Sequence, residues 1–443
     1  MTEIPAGWAR HRHVWRLAWP IIISNVSASL LGAADTAVMG HLPDAAYIGA
    51  VAVGALILSY LQWIFGFLRM STTGLTAQAF GARDMGELRA LLARSLLLAI
   101  AIAGILVALQ APMGRLAFAI IDPSDRVGAL SMAYFDIRIW GLPGALAIFA
   151  VTGWLIGIQR TGAALLLQLG FNGLNLALDL LFVLGFGWGV EGVAAGTVIA
   201  EYSGLGIGLW LVRGTLGGSG GHIEWSTVLD RARLRALLGI NLNVFIRSIL
   251  IVSAIAYMTV VGARLGDTIL AANAILLLFE TFTGQALDGF AFAAEALVGS
   301  AIGARDRARY RSAVRVAGLW SLVAAIVFAL VFAIMGGAII ASLTNLPEVR
   351  AAALEYLPWA VVAPLVLVWG YLLDGIFIGA TRSAEMRNAM ILSVLVYAGA
   401  LWLLVPVWGN HGLWAAFIVL AAARALTLAP FYPRIERAIT SPD

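Results

Sequence analysis

Asn172, Asn175 and Asp179 lie inside the apolar run Phe171 to Phe182 at i, i+3 and i+7, so on an α-helix they share one face. An ionised carboxylate is strongly disfavoured among acyl chains, and such a face must turn into protein or a wet cavity. The chemistry open to it is uptake and release of a proton or small cation. Burial favours the neutral acid and amide donors favour the anion, so opposed influences let one carboxyl do both. Asp179 is therefore the first functional candidate. Asn172 is an additional one, although helix packing explains a lone amide equally well.

Other acids share this setting. Asp35 lies in the first apolar run, Asp136 and Glu201 in later ones, Glu280, Asp288 and Glu295 together in another, and Asp374 in a further one. Asp288 and Glu295 are seven apart and share a face, with Glu280 about 80° away around the helix. For any one of them an interhelical hydrogen bond or ion pair is as good an explanation as a site, and Asp136, two residues from Arg138 near a span end, reads as structural or interfacial. If Asp35 and Asp179 meet, their titrations belong to the pair. Arg69, Arg138, Arg247 and Arg424 also fall within apolar runs, where they could snorkel or pair with buried acids.

Several chemistries are excluded. There is no cysteine, hence no disulfide and no thiolate metal site, and the five histidines fall in tails or loops, which leaves a zinc site unsupported. All 28 basic residues are arginine; without lysine no Walker A loop exists, which argues against an ATP-driven pump. Neither H-E-x-x-H nor a paired-aspartate G-x-G-D motif is present, so the chain is not read as an intramembrane hydrolase or any other enzyme. Gly217 to Gly221 reads as linker, not phosphate loop.

The elements that must hold these side chains are membrane spans. At 443 residues, 61% hydrophobic, 12% charged and a mean hydropathy of +0.93, the chain is too apolar for a soluble domain. Runs long enough to cross a bilayer fall at 14–40, 46–80, 88–111, 128–158, 162–186, 190–213, 236–262, 268–303, 312–341, 352–379, 387–408 and 412–433. The expectation is an all-α membrane protein of twelve transmembrane helices in two six-helix lobes: 1–213, a cytoplasmic linker 214–235, and 236–443. Twenty arginines lie in tails and loops on the side of the termini and four in the opposite loops, so both termini are expected in the cytoplasm. The same bias accounts for the basic balance without nucleic acid. Many of the fifteen tryptophans, among them Trp8, Trp15 and Trp19, sit at span ends and read as interfacial anchors.

Gly81-Ala82-Arg83-Asp84 recurs 222 residues later as Gly303-Ala304-Arg305-Asp306. Near the same shift Gly40 matches Gly262, Gly157 matches Gly379, Arg160 matches Arg382, Pro143 matches Pro364 and Gly192 matches Gly412. Six recurrences in order mark an internal repeat. An even number of spans per copy inserts both in one orientation, an architecture suited to alternating access.

These segments carry a resemblance. Ala34-Asp35-Thr36-Ala37-Val38-Met39-Gly40, Gly81-Ala82-Arg83, Leu174 to Asp179, Gly189 to Ala194, Leu287 to Gly299 and Leu373 to Ala380 together resemble the multidrug and toxic compound extrusion (MATE) family, in its bacterial DinF-like branch, over almost the whole chain. The resemblance implies a multi-pass transporter of the bacterial inner membrane, acting as a monomer without cofactor. It would export amphipathic, often cationic organic compounds against a proton or sodium gradient. It implies a cation-coupling network of Asp35, Tyr134, Asn175, Asp179 and Thr197. Asp374 stands where other members keep a C-lobe coupling acid, while span seven holds no acid. Glu280, Asp288, Glu295 and Asp374 form the candidate substrate or C-lobe polar site, with Asn172 and Glu201 as further possibilities. The alternatives are a lipid-linked precursor flippase, which would need a cationic cavity, and a sodium-coupled exporter.

Overall fold

The computed structural model describes residues 8–39, 45–217 and 223–439. The described chain is helical throughout. The first half runs through α1 (Trp8–Met39), α2 (Ala45–Phe65), α3 (Phe67–Gly81), α4 (Met85–Ala108), α5 (Gln110–Ile121), α6 (Asp125–Arg138), α7 (Leu142–Gly157), α8 (Thr161–Asp179) and α9 (Gly189–Leu216). After the short α10 (Trp225–Val228), the second half runs through α11 (Arg231–Arg264), α12 (Asp267–Gly303), α13 (Arg307–Leu343), α14 (Pro347–Gly379), α15 (Ser383–Trp408), α16 (Asn410–Leu428) and α17 (Tyr432–Ala438). Among the described residues eleven helical segments are long and apolar enough to cross a bilayer, and the 32-residue α1 covers the first expected span. Four spans are made in pieces, the last of them Asn410–Ala438, where α16 passes through a 3-10 turn at Ala429–Phe431 into α17. α2 and α3 join at Gly66, α6 and α7 join through a 3-10 turn at Ile139–Gly141, and α8 passes into a π-helical turn at Leu180–Gly185.

The chain forms two compact units: an N-unit, Ile23–Leu237, and a C-unit, Met1–Ile22 with Leu238–Asp443. The first turns of α1 thus pack with the second half of the sequence and its remainder with the first half.

Within each unit the 222-residue repeat is visible as repeated geometry. The turn after α3 places Arg83 at φ 61° and the turn after α12 places Arg305 at φ 54°. In the first turn the Asp84 N–H donates to Ala79 O and the Arg83 N–H to Phe80 O; in the second Asp306 donates to Ala301 and Arg305 to Ile302. These are the two reversed bonds that close a helix whose next residue is left-handed. Asp84 and Asp306 then cap the following helices, accepting from the Glu87 and Arg309 N–H. Gln159 and Thr381, both at positive φ, close α7 and α14 in the same way.

Packing repeats as well. α7 carries Gly153-Trp154-Leu155-Ile156-Gly157 and α14 carries Gly375-Ile376-Phe377-Ile378-Gly379, small residues four apart that let helix backbones approach. A Cβ on Gly153 would overlap Arg69 O and one on Gly157 would crowd Thr73 O and Thr76; a Cβ on Gly375 would overlap Ala291 O and one on Gly379 would crowd Glu295 O. The partners are again 222 residues apart, so α7 lies on α3 as α14 lies on α12.

Candidate functional site

In the N-unit the polar face of α8 is buried, with Asn175 and Asp179 fully so. Its hydrogen bonds run along the helix. Gln168 Nε2 donates to Asn172 Oδ1 at 2.9 Å, Asn172 Nδ2 donates to Ser27 Oγ of α1 at 2.8 Å, and Asn175 Nδ2 donates to Asp179 Oδ2 at 2.6 Å. Asn175 Oδ1 is buried with no hydrogen-bond partner among the described residues. A buried carbonyl left so costs about 1–3 kcal/mol and asks for a reason.

Asp179 stands where α8 turns into the π-helical segment, the kind of local irregularity that clusters at functional sites. Positive φ at Gly187 and Gly189 then reverses the chain into α9, which brings Gly196 against the carboxylate: a Cβ on Gly196 would lie 2.8 Å from Asp179 Oδ1. Thr197, the next residue, is buried and its hydroxyl donates to Val193 O in its own helix.

One helical turn further along α9, Glu201 meets α6. Arg138 Nη1 and Nη2 each lie 2.9 Å from a different Glu201 oxygen, a bidentate pair buried on both sides, and Gln62 Nε2 reaches Glu201 Oε1 at 3.5 Å. Tyr134, one turn before Arg138, sends its hydroxyl to that arginine and lays its ring over Gly54 of α2. Thus Tyr134 joins the Arg138–Glu201 pair, while Asn175 and Asp179 form a separate centre across α9. Asp35 lies in α1, but its side chain is outside the described residues.

The C-unit is built differently. Asp374 of α14 accepts from Arg424 Nη2 of α16 at 2.7 Å and from Arg247 Nη2 of α11, so one carboxylate oxygen serves two buried guanidinium groups. Tyr371 stands within electrostatic reach of Asp374, Arg424, Asp288 and Glu280, with its hydroxyl packed on Gly284 of α12. Asp288 is half-buried; Glu295 is fully buried in α12, where its backbone receives Gly379. Glu280 is buried, and neither of its oxygens has a hydrogen-bond partner among the described residues. A second polar layer joins Asn273 and Asn410 by reciprocal amide bonds of 2.8 and 2.9 Å, with Trp414 Nε1 donating to Asn273 Oδ1 at 2.8 Å.

Three of the four arginines within spans, Arg138, Arg247 and Arg424, therefore pair with buried acids. Their partners lie far away in sequence and no spacing names them. The i, i+4 pairs Tyr134/Arg138 and Thr197/Glu201 were the available signal that one face of α6 could match one face of α9. Gly196 and Tyr371 carried no signal.

Repeated six-span halves holding buried acid–amide and acid–arginine centres define a polytopic transporter. A sequence profile described as MatE matches residues 20–181 and 244–401. The chain belongs to this MATE family of efflux transporters, which are not enzymes. It is 44% identical over 421 residues to DNA damage-inducible protein F of Escherichia coli K12, covering 95% of this chain and 92% of that protein. It is 25% identical over 465 residues to the probable multidrug resistance protein NorM of Xanthomonas campestris, covering 99% and 97%. Among solved structures, MATE in complex with MaD3S superposes with a TM-score of 0.86 at 18% identity, over 98% of this chain and 97% of that one. A MOP superfamily transporter from Pyrococcus furiosus superposes with a TM-score of 0.87 at 17% identity over the same shares.

Proposed function

We propose that the protein is a proton-coupled antiporter that exports amphipathic, often cationic organic compounds by alternating access, with Asp179 as the coupling acid. The observation that carries the reading is the Asn175–Asp179 centre: a fully buried carboxylate held by a neutral amide whose own carbonyl oxygen is left open. A proton or a small cation supplies what that amide oxygen lacks.

The contact of Asn172 with Ser27 supports a role for Asp35. Odd-numbered spans run in one direction through a membrane, so α1 and α8 ascend together. From the Ser27–Asn172 contact, Asp35 is eight residues on and Asp179 seven, rises of about 12 and 10 Å, which brings the two positions to one level. Thr197 follows Gly196 on α9, the helix that also carries Glu201 to its pair with Arg138 and Tyr134 of α6, and through α9 a change at Asp179 would reach the packing of α6. In the C-unit the acids are read as substrate contacts. Glu280, with no hydrogen-bond partner at either oxygen among the described residues, is read as a contact for an organic cation. The membrane is read as the bacterial inner membrane from the likeness to the Escherichia coli relative, and both termini are assigned to the cytoplasm from the arginine bias.

Dye efflux from proteoliposomes tests the reading. An imposed pH gradient drives efflux by the native protein, and Asp179→Asn, which keeps the amide contact and removes the titration, abolishes it while leaving the elution profile unchanged. Efflux driven by a sodium gradient at constant pH would make this the sodium-coupled alternative. Undiminished proton-driven efflux by Asp179→Asn would remove Asp179 from the mechanism.

A further inference from the structure

The first turns of α1 and the early part of α13, both in the C-unit, enclose a groove of about 520 Å³ lined by Trp8, Ala9, His11, Arg12, Trp15 and Trp320. It is a built aromatic surface. The Trp15 and Trp320 rings meet edge to face at 5.1 Å, and Trp320 Nε1 donates to His11 Nδ1 at 3.2 Å, which leaves Nε2 as the histidine's donor. Arg10 Nη1 fixes the register of the two helices on Ser312 Oγ at 3.3 Å. Trp8 is 81% exposed and Trp15 39%, so three indoles sit around an open concavity instead of in a core.

Its level in the fold is set by charge. Arg16 is the last charged residue of α1 before its apolar stretch, and no charged residue of α13 follows Arg315. Trp15 adjoins the first of these arginines and Trp320 comes five residues after the second, so the groove lies at the boundary between charged and apolar surface, where aromatic rings collect in a bilayer. Arg12 lines it, and Arg10, Arg16, Arg307, Arg309, Arg311 and Arg315 are carried on the same stretches of helix. Among the described residues the neighbouring acids are committed: Asp306 caps α13, and Glu436 accepts from Arg307 and Arg311. The surface is cationic at its polar edge and apolar across its floor.

We propose that this groove is a specific site for one anionic phospholipid, with its phosphate on Arg12 and the His11 Nε2–H and its glycerol and upper acyl chain across Trp15 and Trp320. Basic pockets between membrane helices on the cytoplasmic side take acidic headgroups, and the indole floor supplies the amphipathic surface that a lone interfacial tryptophan lacks. The lipid bridges the Trp8–Ile22 part of α1 and α13 within the C-unit, on the helix that bears Asp35 at its other end.

Native mass spectrometry of the full chain in detergent tests this, with phosphatidylglycerol or phosphatidylcholine of identical acyl chains added. The native protein should retain one phosphatidylglycerol at least about tenfold better than phosphatidylcholine, a difference of about 1.4 kcal/mol. Arg12→Gln should bring the two to parity, Trp320→Leu should weaken retention of both, and Arg115→Gln should change nothing. A thermal shift produced by phosphatidylglycerol in the native protein should vanish in Arg12→Gln and persist in Arg115→Gln. Equal retention of the two lipids by the native protein, or unchanged selectivity in Arg12→Gln, would overturn the proposal. So would a protein dimer that Trp320→Leu dissociates, since the groove would then be a contact between copies.

Discussion

The two units use one scaffold for two kinds of polar chemistry. Their reversed helix ends, their capping aspartates and their glycine-mediated crossings of α7 on α3 and α14 on α12 coincide at a fixed offset of 222 residues. Their buried charges do not. At that offset Asn175 and Asp179 fall on Tyr397 and Leu401, Arg138 on Ala360, and Asp374 on Thr152. In the N-unit the base is on α6 and the acid on α9; in the C-unit the acid is on α14 and the bases are on α11 and α16. An acid held by a neutral amide can change its protonation without stranding a cation, whereas an acid shared by two guanidinium groups cannot. The duplicated backbone contacts thus carry unlike polar centres, an acid–amide centre and one acid–arginine pair in the N-unit and one acid shared by two arginines in the C-unit.

The largest effect should come from breaking the ion pairs singly. Arg138→Met leaves Glu201 buried with only Gln62 beside it, and should cost about 3–5 kcal/mol in detergent unfolding experiments, whereas Arg138→Met with Glu201→Met together should be near neutral. Arg247→Met leaves Asp374 its second arginine and should cost clearly less than Arg138→Met. Equal losses would mean that Asp374 needs both cations, and the contrast between the units would weaken.

This asymmetry is where sequence reading stops. The helices, the repeat and the shared face of Asn172, Asn175 and Asp179 are legible because they depend on local hydrophobicity and on offsets of three, four and seven. Which arginine meets which acid depends on how helices 63, 127 and 50 residues apart are packed, and no local pattern encodes that. Nor did composition mark the turn from α-helix to π-helix after Asp179, since Leu180 to Gly185 reads as ordinary apolar span. The role of Gly196 was equally hidden, because a glycine that admits a carboxylate looks like any packing glycine.

The next effect tests what is common to the units. Gly153→Ala and Gly375→Ala each drive a methyl into a backbone carbonyl on the facing helix, and overpacking of this kind costs about 1–3 kcal/mol. The two losses should match in thermal unfolding; a tolerant Gly375 beside an intolerant Gly153 would show that the duplicated crossing no longer bears equal load. Asn273→Ala, which removes two amide–amide hydrogen bonds and one from the Trp414 indole, should follow with a loss of about 1–2 kcal/mol. Its counterpart at the repeat offset, Val51, offers no such bond, so Val51→Ala probes apolar packing alone.

The smallest effects separate a shared cap from its surroundings. Asp84→Ala and Asp306→Ala remove equivalent N-cap bonds and should each cost about 1 kcal/mol. The two caps are not equally alone. Glu87, whose N–H Asp84 binds, is also gripped by Arg94 through two bonds of 2.8 and 2.9 Å and by Arg233, whereas the matching residue in the C-unit, Arg309, has no carboxylate to offer. Those ion pairs keep the start of α4 in place when the cap is lost, and hydrogen exchange should therefore rise more at the Arg309 amide in Asp306→Ala than at the Glu87 amide in Asp84→Ala. Adding both Arg94→Met and Arg233→Met to Asp84→Ala should erase the difference; if it does not, the repeat governs the helix starts and the local ion pairs contribute nothing to them.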